Sequence, residues 1–86
     1  MKNTKEKLKI FEALSDETRL KIVECLLKGE RCVCKIIPFV KRTQSTVSIQ
    51  LAKLESLGIV SSERNGKFIA YRIKNKKVID VLKCLK

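Results

Sequence analysis

The sequence predicts a mainly α-helical domain carrying one β-hairpin: five helices and two antiparallel strands in a single unit spanning residues 1–86. Three observations carry that expectation. Apolar residues recur at spacings of three and four through four successive stretches before Gly58. The period then drops to two on either side of Asn65-Gly66, a dipeptide suited to a tight hairpin because a type I′ turn needs positive φ at both central positions. Finally, twenty Lys and Arg stand against nine Asp and Glu, a net charge of +11 with no His. That balance points to a polyanionic partner, of which nucleic acid is the simplest.

Residues 2–14 read as a first helix with Leu8, Ile10, Phe11 and Leu14 on its apolar side. Ser15, followed by Asp16 and Glu17, reads as the cap of a second helix that runs to Lys28 and stops at Gly29, with Leu20, Val23, Leu26 and Leu27 as its stripe. Val33, Ile36, Ile37 and Val40 mark a third, which Pro38 keeps short or distorted. Thr43 caps a fourth helix over residues 43–57, in which Val47, Leu51 and Leu54 stack along one side and Gly58 ends the run. Strands IVSSER and KFIAYRI follow, paired so that Val60 faces Tyr71, Ser62 faces Ile69 and Arg64 faces Lys67. Residues 75–85 form the last helix, with Val78, Ile79, Leu82 and Leu85 apolar.

A chain of 86 residues builds a marginal core, so a homodimer is expected. No apolar run approaches the roughly 20 residues that span a bilayer, which argues against a membrane partner. The N-terminus lacks the apolar core of a signal peptide, so a cytoplasmic location is expected. In that setting four cysteines read as thiols or metal ligands rather than a disulfide framework. An enzyme finds little support, for there is no His for acid-base work and no phosphate-cradling Gly loop.

The outward side of the fourth helix is unusual. Ser45, Ser48, Ile49, Ala52 and Lys53 turn away from the packing stripe, where a merely solvated helix would carry Glu and Lys at i, i+4. Hydroxyls and one bare aliphatic group suit a DNA major groove: Ser and Thr bond base edges or phosphates, Ile49 meets a thymine methyl, and Gln44 or Gln50 pairs with adenine. The plainer alternative is a surface helix with an incidental Ile. At the hairpin tip, two cations facing each other across a ladder repel unless a phosphate lies between them, so Arg64 and Lys67 read as a wing on the DNA backbone. A solubilising turn that guards an edge strand explains the same residues.

Helices, an outward-reading helix and a hairpin wing add up to winged helix-turn-helix architecture. The segments ETRLKIVECLLKGERCVCKI and QSTVSIQLAKLESLGIVSSERNGKFIAYRI resemble the ArsR/SmtB family of bacterial and archaeal repressors, from about Phe11 to Ile73. The resemblance implies that the stretch from Gln44 to Leu54 reads DNA, that Arg64 to Lys67 is the wing, and that the terminal helices, residues 2–14 and 75–85, form the dimer interface. It further implies a repressor that leaves its operator when an inducer binds. The position of Gln50 is commonly His in relatives, so base preference does not transfer. Gln44, Ser45, Thr46, Ser48, Ile49 and Gln50 are the expected readers of bases. Lys41, Arg42, Lys53, Arg64 and Lys67 are the expected phosphate contacts.

Cys32-Val33-Cys34 matches the metal box of arsenic-, cadmium- and lead-responsive members. Soft thiolates favour thiophilic ions: As(III), Sb(III), Cd(II), Pb(II) or Zn(II). Positions i and i+2 of a regular helix point about 200° apart, so both sulfurs reach one ion only if Cys32 precedes the first helical turn. A helix N-terminus beside Arg31 and Lys35 should also lower the thiol pKa. Arsenic-specific relatives often place a third Cys where Ile37 stands, and the usual Asp and Leu are replaced by Lys35 and Arg31. A third ligand would then come from Cys84, Cys25, the other subunit or an exogenous thiol, with Cys25 better read as core packing. Two further readings stay open: a metal-insensitive or thiol-redox-responsive regulator of the same fold, and a low-specificity architectural DNA-binding protein.

Overall fold

In the computed structural model, which describes residues 3–85, five helices surround one apolar core and a small antiparallel sheet lies along its edge. The order is α1 (Thr4–Leu14), α2 (Glu17–Leu26), β1 (Arg31–Cys32), α3 (Val33–Val40), α4 (Gln44–Ser56), β2 (Val60–Asn65), β3 (Phe68–Ile73) and α5 (Lys77–Cys84). The expected start of the first helix at Lys2 lies outside the described residues. No helix among them is long and apolar enough to cross a membrane.

The helical periodicities translate into burial with two adjustments. On α1 the core takes Ile10 and Ala13, while Leu8 and Phe11 stand 61% and 60% exposed. On α2 the buried stripe is Thr18, Ile22, Cys25 and Leu26 with Val23 beside it, whereas Leu20 is half-buried and Leu27 exposed. Leu20 and Leu27 instead line an open groove of about 590 Å³ shared with Leu82 and Leu85 near the end of α5. The cap of α2 is Asp16, not Ser15: the Asp16 carboxylate accepts from the Arg19 backbone N–H at 3.1 Å, and Ser15 closes α1 by donating its hydroxyl to the Glu12 carbonyl. Asp at the N-cap does both jobs expected there, accepting an orphan N–H and placing negative charge at the positive end of the helix dipole.

Pro38 sits inside α3, which is accordingly only eight residues long and stops at Lys41 in the left-handed region at φ 58°. Thr43 caps α4 as expected, its hydroxyl accepting from the Thr46 N–H at 3.2 Å. At the other end Ile59 N–H reaches the Leu54 carbonyl and Gly58 N–H the Glu55 carbonyl, both at 3.0 Å. This is a Schellman closure; Gly58 supplies φ 76°, and Ile59 and Leu54, both fully buried, form its apolar clasp.

The sheet departs from expectation in two ways. It has a third strand, in the order β1-β3-β2, because Arg31 and Cys32 pair with Tyr71 and Ala70. A two-residue strand is too short to leave a periodic signal. The hairpin register also slips by two: Val60 faces Ile73, Ser62 faces Tyr71, Arg64 faces Ile69 and Asn65 faces Phe68. Gly66-Lys67 is therefore the turn, and of the two only Gly66 has positive φ, at 62°, the arrangement of a type II′ turn. A slip of two keeps every side chain on its expected face. It also seats Ile73 beside the buried Val60, extending the ladder over the core.

Candidate nucleic-acid interface and cysteine site

α4 is held by its buried side and shows the other. Val47, Leu51 and Leu54 are buried in the core, which orients Gln44, Ser45, Ser48, Ile49, Ala52 and Lys53 into solvent. Ile49 stands 65% exposed. The first turn contains no acidic residue. Thr46 is half-buried and its hydroxyl accepts from that of Thr43 at 3.0 Å, so it serves the helix start.

The two halves of this face differ. Gln50 Oε1 accepts from Arg19 Nη1 at 2.8 Å, and Arg19 Nη2 donates in turn to the Glu12 carbonyl at 2.9 Å. Lys53 Nζ pairs with the Glu12 carboxylate at 2.9 Å. The Lys53 ammonium holds the Glu12 carboxyl below the usual carboxylate range. Gln50 and Lys53, expected to face DNA, are thus tied to α1 and α2, leaving Gln44, Ser45, Ser48 and Ile49 as the open half. No periodic signal joins Arg19 to Gln50, which lies 31 positions away.

The expected phosphate contacts also divide. Arg42 is half-buried, pairs with Glu17 at 3.5 Å and donates to the Lys41 carbonyl at 3.2 Å. Lys41, Arg64 and Lys67 are exposed and hold no ion pair among the described residues. Arg64 and Lys67 do not face each other, so like-charge repulsion across the ladder is no argument for a phosphate between them. They remain two free cations at the hairpin tip, with Phe68, 59% exposed, beside Lys67.

Cys32 meets the geometric condition for a shared site. It ends β1 and is the N-cap of α3, so it precedes the first helical turn. The Cys32 sulfur accepts from the Cys34 backbone N–H at 3.3 Å, and the two sulfurs approach to 2.6 Å. The Cys34 thiol and backbone N–H, with Lys35 nearby, hold Cys32 below the ordinary thiol range. The hydrogen bond to Cys32 pushes Cys34 the other way, so Cys32 is the more acidic thiol of the pair and Cys34 the more firmly protonated. Cys25 is core as expected, 3% exposed, and burial raises its pKa. Cys84 is exposed on α5; among the described residues no three Cys, His, Asp or Glu side chains gather at one point, so Cys84 does not complete the pair within one chain.

Pairing of β1 with β3 places the cysteines beside the hairpin. Between them and α4 runs a groove of about 370 Å³ lined by Cys32, Cys34, Gln44, Ser48, Lys67 and Phe68, with an apolar floor. Chemically it offers two convergent soft donors, the hydrogen-bonding side chains of Gln44, Ser48 and Tyr71, and one cation.

The family profile described as "Bacterial regulatory protein, arsR family" matches residues 16–62. The cadmium resistance transcriptional regulatory protein CadC of Listeria innocua is 42% identical over 84% of this chain and 61% of its own length. This chain therefore spans about three fifths of that relative. An uncharacterized HTH-type transcriptional regulator of Methanocaldococcus jannaschii is 37% identical over 96% of this chain and 94% of its own. Among solved structures, the transcriptional repressor BigR from Xylella fastidiosa superposes with a TM-score of 0.91 at 33% identity, covering 98% of this chain and 86% of its own. A homodimeric winged helix-turn-helix DNA-binding domain from Mycobacterium bovis gives 0.81 at 30% identity, covering 93% and 74%.

Proposed function

The chain belongs to the arsR family of bacterial regulatory proteins, and from that premise we propose that it is a homodimeric repressor of transcription. It binds an imperfect palindrome with half-sites about one helical turn apart. The observation that carries this reading is the open half of α4, where Gln44, Ser45, Ser48 and Ile49 are presented beside the free cations of the hairpin tip. Those four side chains read base edges, while Lys41, Arg64 and Lys67 sit on phosphates, so binding falls steeply with salt. Gln50 and Lys53 act mainly through the position they give the helix.

The single domain dimerises through its terminal helices. Leu8, Phe11 and Leu85 are large exposed apolar groups on or beside α1 and α5, and the groove of Leu20, Leu27 and Leu82 continues that surface. The solved relative described as homodimeric supports a dimer, and these exposed apolar groups support its placement on the terminal helices.

The inducer is a thiophilic ion, drawn from As(III), Sb(III), Cd(II), Pb(II) and Zn(II). Cys32 and Cys34 fit it in donor chemistry and in convergence, and the relative named for cadmium resistance supports the class. A bound ion would hold the two thiolates in one fixed geometry at the start of α3. Two donors leave its shell open, and the third comes from the partner subunit or an exogenous thiol.

A second reading rests on the convergence of the two sulfurs at the start of α3. In it the pair senses oxidant, two thiols giving up two protons and two electrons to a peroxide as they join in a disulfide.

The test is fluorescence anisotropy of the reduced protein on the duplex upstream of its own gene, with and without arsenite, cadmium and zinc, and with peroxide. Release by one ion that is lost in the Cys32→Ser/Cys34→Ser variant supports the ion sensor, and release by peroxide alone favours the redox reading. Equal affinity for random duplex would retire the repressor in favour of an architectural DNA-binding protein.

A further inference from the structure

Three groups expected to contact DNA also wall the groove that holds the cysteine pair. Gln44 and Ser48 lie on its α4 side, Lys67 on its hairpin side, and Cys32 and Cys34 line the same space. A duplex that touches the open face of α4 and the hairpin turn together has to span the mouth between them. At about 370 Å³ the groove is in the size range of small-ligand sites, and it is narrow beside a duplex. Phe68, 59% exposed on the hairpin wall, is apolar surface that a sugar-phosphate strand laid across the mouth would cover.

We propose that duplex DNA closes over this groove, so that DNA and whatever the cysteine pair carries compete for one volume. This rests on the reading of α4 and the hairpin as the DNA-binding surface. Its consequence is regulation by occlusion. An ion with its exogenous thiol, or an adduct on either sulfur, takes Gln44, Ser48 and Lys67 out of reach of the duplex without any rearrangement of the dimer. Conversely, bound DNA shields the sulfurs.

The experiment uses the full chain with Cys84→Ser, which leaves the pair as the accessible thiols among the described residues, Cys25 being buried. Iodoacetamide forms a thioether at a thiolate with release of iodide, and its rate at Cys32 and Cys34 is followed by peptide mass with and without saturating duplex. Binding is measured by anisotropy in the same samples. The expected result is alkylation about tenfold slower on DNA, because thiol reactivity follows access. A second arm uses duplexes that each carry a short alkyl disulfide on one backbone phosphate, the set covering the whole binding site. Exchange should join Cys32 or Cys34 to the DNA and expel the small thiol, while the Cys32→Ser/Cys34→Ser variant with Cys84 retained gives no joined product. Unchanged alkylation on bound DNA overturns the proposal. Protection with no joined product at any position overturns it too, in favour of coupling at a distance. Failure to bind any duplex removes the reading of the surface together with the proposal.

Discussion

The two halves of the α4 outer face obey different rules. In the first, Gln44, Ser45, Ser48 and Ile49 are exposed and engage nothing outside their own helix start. In the second, Gln50 and Lys53 are fastened by Arg19 and Glu12 to α2 and α1. On the proposed function, the difference separates reading from aiming. A helix that must present short side chains to a partner needs its axis fixed, and here it is fixed by a buried stripe below and a polar tether behind.

The sharpest way to break that comparison is to remove the stripe. Leu51→Ala deletes a side chain that is 1% exposed and should cost about 2–5 kcal/mol in urea unfolding, enough to abolish DNA binding by unfolding the domain. Next comes the tether. Arg19 makes two charge-assisted bonds while its Nε stays buried without a partner, so Arg19→Ala should cost about 1–3 kcal/mol of stability. If the tether aims the helix, affinity in Arg19→Ala falls for all sequences in proportion, with the ranking of operators unchanged. At the hairpin, Arg64→Ala should weaken all duplexes alike and reduce the magnitude of the salt slope by about one. A slope equal to that of the native protein would take Arg64 off the phosphate backbone.

The smallest effect belongs to Glu12. Its carboxyl is held below the usual range by Lys53, so the folded form favours the ionised state. The stabilisation is present above the ordinary carboxylate pKa and is lost as pH falls through the lowered one. Glu12→Gln should therefore unfold more easily than the native chain near neutral pH and match it in acid. The pair is exposed and its contribution is small.

Much of this was legible in the sequence, for reasons specific to each element. The Val47-Leu51-Leu54 stripe, the Thr43 cap and Gly58 are local signals, and each reports on its own few residues. The Cys-x-Cys spacing is local too, but it left convergence of the sulfurs conditional on where α3 begins, and the structure starts that helix just after Cys32. What could not be read was non-local or ambiguous. A tight turn centred on Asn65-Gly66 or on Gly66-Lys67 uses the same glycine, and only packing of Val60 beside Ile73 selects the second. The β1 strand consists of two residues recruited by β3, and Arg19 meets Gln50 across 31 positions. Leu8 and Phe11 look like core in a list of apolar positions and lie on the surface, because periodicity identifies a face without saying which neighbour covers it.

The most direct test of the account compares Ser48→Ala with Gln50→Ala by anisotropy titration against the operator and each of its single base-pair variants. Ser48→Ala should reorder the variants by about 1–3 kcal/mol at one position of each half-site, and Gln50→Ala should shift all of them together. Reordering by Gln50→Ala with none from Ser48→Ala would contradict the division of α4 into a half that reads and a half that aims.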